Sequence, residues 1–132
     1  MAVRGRGRTA PPAVMAQRVL IVEDDADTAE GLRELVQLWG HEPVVADSGT
    51  AARAAAARER FDVVLLDLGL PDVDGVAIAG ELRAALGAAA RVVALTGHTD
   101  EGMLARVRAA GADAHLRKPV DLDHLEALLA RR

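Results

Sequence analysis

Five short apolar runs, each followed by a stretch with helical spacing, constrain this chain more than any other feature. The first, Val19-Leu20-Ile21-Val22, is largely β-branched and has acids directly behind it. Beyond it Leu32, Leu35, Val36 and Trp39 recur at i, i+3, i+4 and i+7, the spacing of one helix face. Gly40 stands where a left-handed residue closes a helix. The second run, Pro43-Val44-Val45-Ala46, contains a proline and is expected at a sheet edge. Asp47 or Ser48 is placed to cap the alanine-rich helix that runs to about Arg60. The third, Val63-Val64-Leu65-Leu66, is the most apolar and is expected at the centre. The turn Leu70-Pro71-Asp72-Val73-Asp74-Gly75 leads from it to a helix with Ile78, Leu82 and Leu86 on one side. After the fourth run, Val92-Val93-Ala94-Leu95, Thr99 or Asp100 opens a helix that turns Met103, Val107 and Ala110 inward and ends at Gly111. The fifth, Ala114-His115-Leu116, is short and is broken by Pro119. Asp121 is placed to cap a last helix striped by Leu122, Leu125, Leu128 and Leu129.

Apolar strands separated by helical stretches indicate a parallel sheet covered on both faces. The expected fold is therefore α/β, a single doubly wound (βα)5 domain over residues 17–132. A chain of 132 residues holds one such domain and is too short for two ordinary ones. Phe61 and Trp39 are the only aromatic residues, so the core is built from Val, Leu, Ile and Ala. The absence of cysteine excludes disulfides, thiol catalysis and thiolate metal sites. No apolar run approaches the roughly 20 residues that cross a bilayer, and the basic start has no apolar segment behind it that would make a signal peptide. A cytoplasmic location without membrane contact is expected. The net charge of −4 conceals an asymmetry: with Arg4, Arg6 and Arg8 set aside, 13 of the 16 basic residues face all 20 acidic ones, a body at −7. Such a body is not expected to bind nucleic acid itself. Residues 1–16 are expected to form a disordered basic tail, with synthesis from Met15 as the alternative.

Open α/β sheets place their active residues beyond the carboxyl ends of the strands. There the sequence sets Glu23, Asp24 and Asp25 after the first strand, Asp67 after the third, Thr96 and Gly97 after the fourth, and Lys118 after the fifth. The second strand offers only Asp47 and Ser48. Several carboxylates at one end of a sheet repel one another, and burial raises the cost of keeping all of them ionised. A divalent cation resolves that conflict. Magnesium takes hard oxygen ligands, few of them from protein, and leaves positions for water and a phosphate oxygen. Asp24 and Asp67 are the expected side-chain ligands, with Mn2+ as a substitute for Mg2+. A phosphoryl group arriving on Asp67 needs a cation and hydrogen-bond donors for its oxygens; Lys118, the Thr96 hydroxyl and the Gly97 N–H supply them. Each residue alone has a bland role as cap, loop or surface group. Jointly, acid, acid, hydroxyl and lysine at four strand ends point to phosphoryl chemistry.

At this point the sequence resembles the receiver domain of two-component response regulators. The resemblance is carried by Val19-Leu20-Ile21-Val22-Glu23-Asp24-Asp25, by Phe61 through Gly75, by Val93-Ala94-Leu95-Thr96-Gly97 and by Gly111 through Pro119. It covers about residues 17–131. Leu95-Thr96-Gly97 and Lys118-Pro119-Val120-Asp121 look like receivers attached to hybrid sensor kinases. The resemblance implies a flavodoxin-like sheet in the order 2-1-3-4-5, with Asp67 as phosphoacceptor. Asp24 would bind the metal directly, Glu23 through water, and Gly69 through its backbone carbonyl. The Lys118–Pro119 peptide is expected to be cis, and Asp25 is not expected to be a ligand.

Two positions depart from the family's commonest pattern. The switch aromatic is replaced by His115, expected to keep the role of following Thr96 inward. The positions that tune hydrolysis are Gly69 and His98; the glycine has no side chain to orient water. The histidines His41 and His124 show no partner that suggests a metal or phosphotransfer role. The implied function is transfer of a phosphoryl group from a sensor histidine kinase or histidine phosphotransfer protein to Asp67, without classical enzyme activity beyond self-phosphorylation and slow autodephosphorylation. The fourth helix, fifth strand and fifth helix would then change shape toward an unknown protein target, with a homodimer through that face as a further expectation and no output domain. The rivals are a haloacid-dehalogenase-like phosphatase, a Rossmann-type nucleotide-binding domain and an unphosphorylated receiver-like interaction scaffold. Gly69 stands where the phosphatase needs a second aspartate, and no glycine fingerprint follows the first strand.

Overall fold

The structure, a computed structural model, describes residues 16–97 and 101–130. The expected tail up to residue 15, the alternative start at Met15, His98, and the cap candidates Thr99 and Asp100 lie outside the described residues.

Strands and helices alternate strictly: β1 (Arg18–Val22), α1 (Ala26–Leu38), β2 (Glu42–Ala46), α2 (Gly49–Arg58), β3 (Val63–Asp67), α3 (Gly75–Leu86), β4 (Arg91–Thr96), α4 (Glu101–Ala110), β5 (Ala114–Arg117) and α5 (Leu122–Ala130). The five strands form one sheet in the order β2-β1-β3-β4-β5, and every pairing is parallel. The expected (βα)5 architecture and strand order are therefore what the chain adopts.

Successive strand residues point to opposite faces, and the core divides accordingly. Leu20, Val22, Val64, Leu66, Val92 and Ala94 pack with Ala52, Ala55, Ile78, Leu82 and Val107, under α2, α3 and α4. Val19, Ile21, Val63, Leu65, Val93 and Leu95 pack on the other face with Leu32, Val36, Leu125 and Leu129, under α1 and α5. Burial on both faces explains why β3 reads as an unbroken apolar run: all five of its residues are buried. The edge strand β2 keeps only Ala46 buried.

Local signals end the helices where the sequence expects. Gly40 and Gly111 follow α1 and α4 with positive φ of 92° and 130°, a conformation glycine adopts without steric cost. Ser48 rather than Asp47 caps α2, accepting from Ala51 N–H. Asp121 caps α5 through the N–H groups of Asp123 and His124. The helix stripes are buried less evenly than their periodicity: Leu86 of α3 and Met103 and Ala110 of α4 are half-buried beside the buried Ile78, Leu82 and Val107. In α1, Ala29, Leu32 and Val36 are buried, whereas Leu35 and the C-cap residue Trp39 are half-buried. In α5, Leu122, the first residue of the helix, is 45 % exposed.

Candidate functional site

Each site residue is the last residue of a strand or lies one or two steps beyond it, so backbone pairing sets its position. Glu23 N–H donates to Ala46 C=O at 3.0 Å, carrying β1 one residue past its buried run. Asp67 ends β3 in register with Leu95, and Lys118 N–H donates to Thr96 C=O at 2.8 Å, which brings the lysine beside the end of β4. The result is a compact group at the carboxyl edge of β1, β3, β4 and β5. Glu23, Asp67 and Thr96 are 2 %, 7 % and 4 % exposed, whereas Asp24 faces solvent.

Lys118 stands at the centre of the charges. Its ammonium lies 3.1 Å from Glu23 Oε1 and 3.4 Å from Asp67 Oδ1. The second Glu23 oxygen accepts from Asp25 N–H at 3.2 Å. Asp67 Oδ1 also accepts from Gly69 N–H at 2.9 Å. One carboxylate oxygen from each of Glu23, Asp24 and Asp67 falls within 4.8 Å of the others.

The electrostatics follow from burial and crowding. Burial pushes the Glu23 carboxyl up, and the neighbouring Asp67 carboxyl pushes it further, against the Asp25 N–H and Lys118 that favour its charge. Burial by itself would lower the Lys118 ammonium. The hydrogen bond to Glu23 and the charges of Asp67 and Glu23 outweigh it, so the lysine is held above its ordinary value. Among the described residues, two buried acids thus share one cation, Lys118, with a third acid, Asp24, at the solvent rim. Hard oxygen donors, excess negative charge and a solvent-facing side are what a magnesium ion requires, so the residues fit that ion.

Several expected residues lie apart from this group or have another partner. Asp25 caps α1, its carboxylate accepting from Thr28 N–H at 2.9 Å. Glu23, expected to reach a metal only through water, is also the nearest acid to Lys118. His115 sits on β5 with its side chain exposed, at a hollow of about 360 Å³ lined with Glu101, Leu104, Ala105 and Arg108. Gly97 is exposed just past β4. His98 lies outside the described residues. His124 is exposed on α5, while His41 is buried and accepts Gln17 N–H on Nδ1 at 3.1 Å. The Lys118–Pro119 peptide is cis. Among the described residues no helix is long and apolar enough to cross a membrane.

The family model of the response regulator receiver domain matches residues 19–130. The chain belongs to that family, the signalling receivers of two-component systems, which are not classical enzymes. It is 37 % identical over 111 residues to the transcriptional regulatory protein KdpE of Mycobacterium tuberculosis, a match covering 84 % of this chain and 48 % of that protein. The chain thus spans about half the length of the curated relatives it matches first. Among solved structures, it resembles a CheY-like response regulator receiver domain protein from Methanospirillum hungatei with a TM-score of 0.80 and 28 % identity, covering 86 % of this chain and 91 % of that one. The receiver domain of sensor histidine kinase PA1611 from Pseudomonas aeruginosa, solved with a magnesium ion coordinated in its active site cleft, aligns with a TM-score of 0.77 and 28 % identity, covering 87 % and 95 %.

Proposed function

We propose that Asp67 is the phosphoacceptor of this receiver and that Asp24, Asp67 and the Gly69 carbonyl hold a magnesium ion, with Glu23 joining through water. The observation that carries this reading is the convergence of three carboxylates and one ammonium where β1, β3 and β5 end. A solved receiver of similar fold carries magnesium in its active site cleft. When bound, the ion offsets negative charge and withdraws electrons from the phosphoryl oxygens.

The rest of the chemistry belongs to the chain. A carboxylate oxygen of Asp67 attacks the phosphorus of a phosphohistidine or a small acyl phosphate. The new O–P bond forms as the donor's P–N or P–O bond breaks, and the imidazole or carboxylate departs with its electron pair. The Gly69 N–H and Lys118 hold Asp67 Oδ1, which orients the carboxylate for that attack. Lys118 then follows the added charge. The Thr96 hydroxyl and the Gly97 N–H receive the phosphoryl oxygens. The new dianion supplies contacts that only one packing of the domain satisfies, and this shifts the population toward it. His115 follows Thr96 in that shift, so that α4, β5 and α5 present a changed face to a protein target. The donor is a sensor histidine kinase or a histidine phosphotransfer protein.

Incubation with acetyl phosphate and Mg2+ tests the reading. The wild-type chain should gain one phosphoryl group by intact mass, and Asp67→Asn should gain none. Equal labelling of the two proteins refutes the assignment.

A further inference from the structure

The turn that carries Gly69 is tied at both ends, and one of its ties reaches a helix that supplies nothing else to the site. At the far end Asp74 caps α3, accepting from Val76 N–H at 2.9 Å. Gly75 packs so closely there that an added Cβ would lie 2.9 Å from Leu68 C=O. In the middle, Asp72 reaches across to the start of α2. Its Oδ1 accepts from Gly49 N–H at 3.0 Å, and its Oδ2 accepts from Thr50 N–H at 3.2 Å and from the Thr50 hydroxyl at 3.3 Å. These bonds, the Gly49 N–H first, hold the Asp72 carboxyl below its ordinary range. Val73 seats on the same spot: a Cβ on Gly49 would collide with the Val73 side chain. The start of α2 is a firm anchor, because Ala52, Ala55 and Ala56 are buried in the core and Ser48 separately caps it at Ala51 N–H.

We infer that Asp72 is a positioning residue for the metal and phosphoacceptor site, holding the Gly69 peptide in place by clamping its turn to the N-terminus of α2. Both groups of that peptide matter, since the N–H holds Asp67 Oδ1 at 2.9 Å and the carbonyl is the proposed backbone ligand. The inference rests on that reading of Gly69 and Asp67. An acid five residues past the phosphoacceptor thus acts without touching the metal or the phosphoryl group. A backbone ligand has no rotamer to adjust, so its position is only as good as the loop that bears it.

The test is the Mg2+ dissociation constant of the full chain by titration calorimetry, with amide exchange at Gly49, Thr50 and Gly69 and thermal unfolding in EDTA. Asp72→Ala should weaken Mg2+ by about three- to tenfold, below the 10- to 100-fold typical of groups bonded directly to a ligand. It should also speed exchange at all three amides. Asp72→Asn, which keeps an acceptor oxygen, should recover part of the affinity. Glu81→Ala is the control: it removes the Arg53–Glu81 ion pair between α2 and α3 without touching the turn, and should leave Mg2+ affinity at the wild-type value. Asp72→Ala with unchanged Mg2+ affinity overturns the inference while leaving the site as proposed, even where the variant melts earlier. Equal weakening by Glu81→Ala also overturns it, since general loosening would then be the cause. A wild-type chain that neither binds Mg2+ nor takes label removes the reading of the site, and the inference with it.

Discussion

Lys118→Ala removes the one side-chain cation that, among the described residues, pairs with the two buried acids Glu23 and Asp67. At an effective dielectric near 20, unit charges 3.1 Å apart attract by roughly 5 kcal/mol before any cost is counted. Most of that is returned by desolvation, and the Lys118 side chain is 31 % exposed and partly screened. A net loss of about 1–2 kcal/mol remains for the metal-free protein near neutral pH. For a domain of this size that is a fall of about 4–8 °C in Tm. The pH dependence distinguishes charge from packing. Glu23 already has a folded pKa above its ordinary 4.5, first through burial and then through Asp67, and loss of the ammonium moves it higher. Between the ordinary and raised values the folded state binds more protons than the unfolded one, so stability rises as pH falls. The deficit of Lys118→Ala should therefore shrink on going from neutral pH toward about pH 5, and Glu23→Gln in the same background should remove most of it. Mg2+ should restore stability more in the variant than in wild type, because the ion then meets no competing ammonium. Thermal melts across pH in EDTA and in saturating Mg2+ decide the matter. A deficit that is the same at every pH and untouched by Mg2+ would show that Lys118 acts through packing, and would refute the charge account.

Other outcomes follow from the same structure. His41 is held below its ordinary 6.5 by burial, and its Nδ1 must stay unprotonated to accept Gln17 N–H. The unfolded chain therefore takes up the proton first, stability falls as pH drops below about 6.5, and His41→Gln should flatten that limb of the melting profile. Gly75→Ala forces a Cβ to 2.9 Å from the Leu68 carbonyl, a backbone atom that cannot swing aside. It should cost about 1–3 kcal/mol by denaturant unfolding and perturb the Asp67–Gly69 turn in an amide spectrum. Ser48→Ala removes the cap on Ala51 N–H and should cost about 1 kcal/mol. With the Asp72 clamp intact in that variant, Mg2+ affinity should stay near wild type in the same titration.

Much of this protein was legible in order along the chain. Continuous apolar runs such as Val63 to Leu66, alternating with helical stretches, indicated strands buried on both faces, and glycines such as Gly40 and Gly111 ended helices because glycine takes positive φ cheaply. The strand-end residues Glu23, Asp24, Asp67, Thr96 and Lys118 were visible for the same reason, since a parallel sheet presents its carboxyl ends to one side. What the linear order did not contain was the pairing among those groups. Lys118 read as a phosphoryl ligand, yet it meets Glu23 across 95 residues of sequence. Asp72 read as a turn residue, yet its carboxylate holds a helix that begins 23 residues earlier. His41 read as a loop histidine, yet burial against Gln17 lowers its pKa. Periodicity and turn chemistry are local properties that the chain carries with it. Desolvation and charge partnership exist only once the sheet has closed and distant residues share the same dry space.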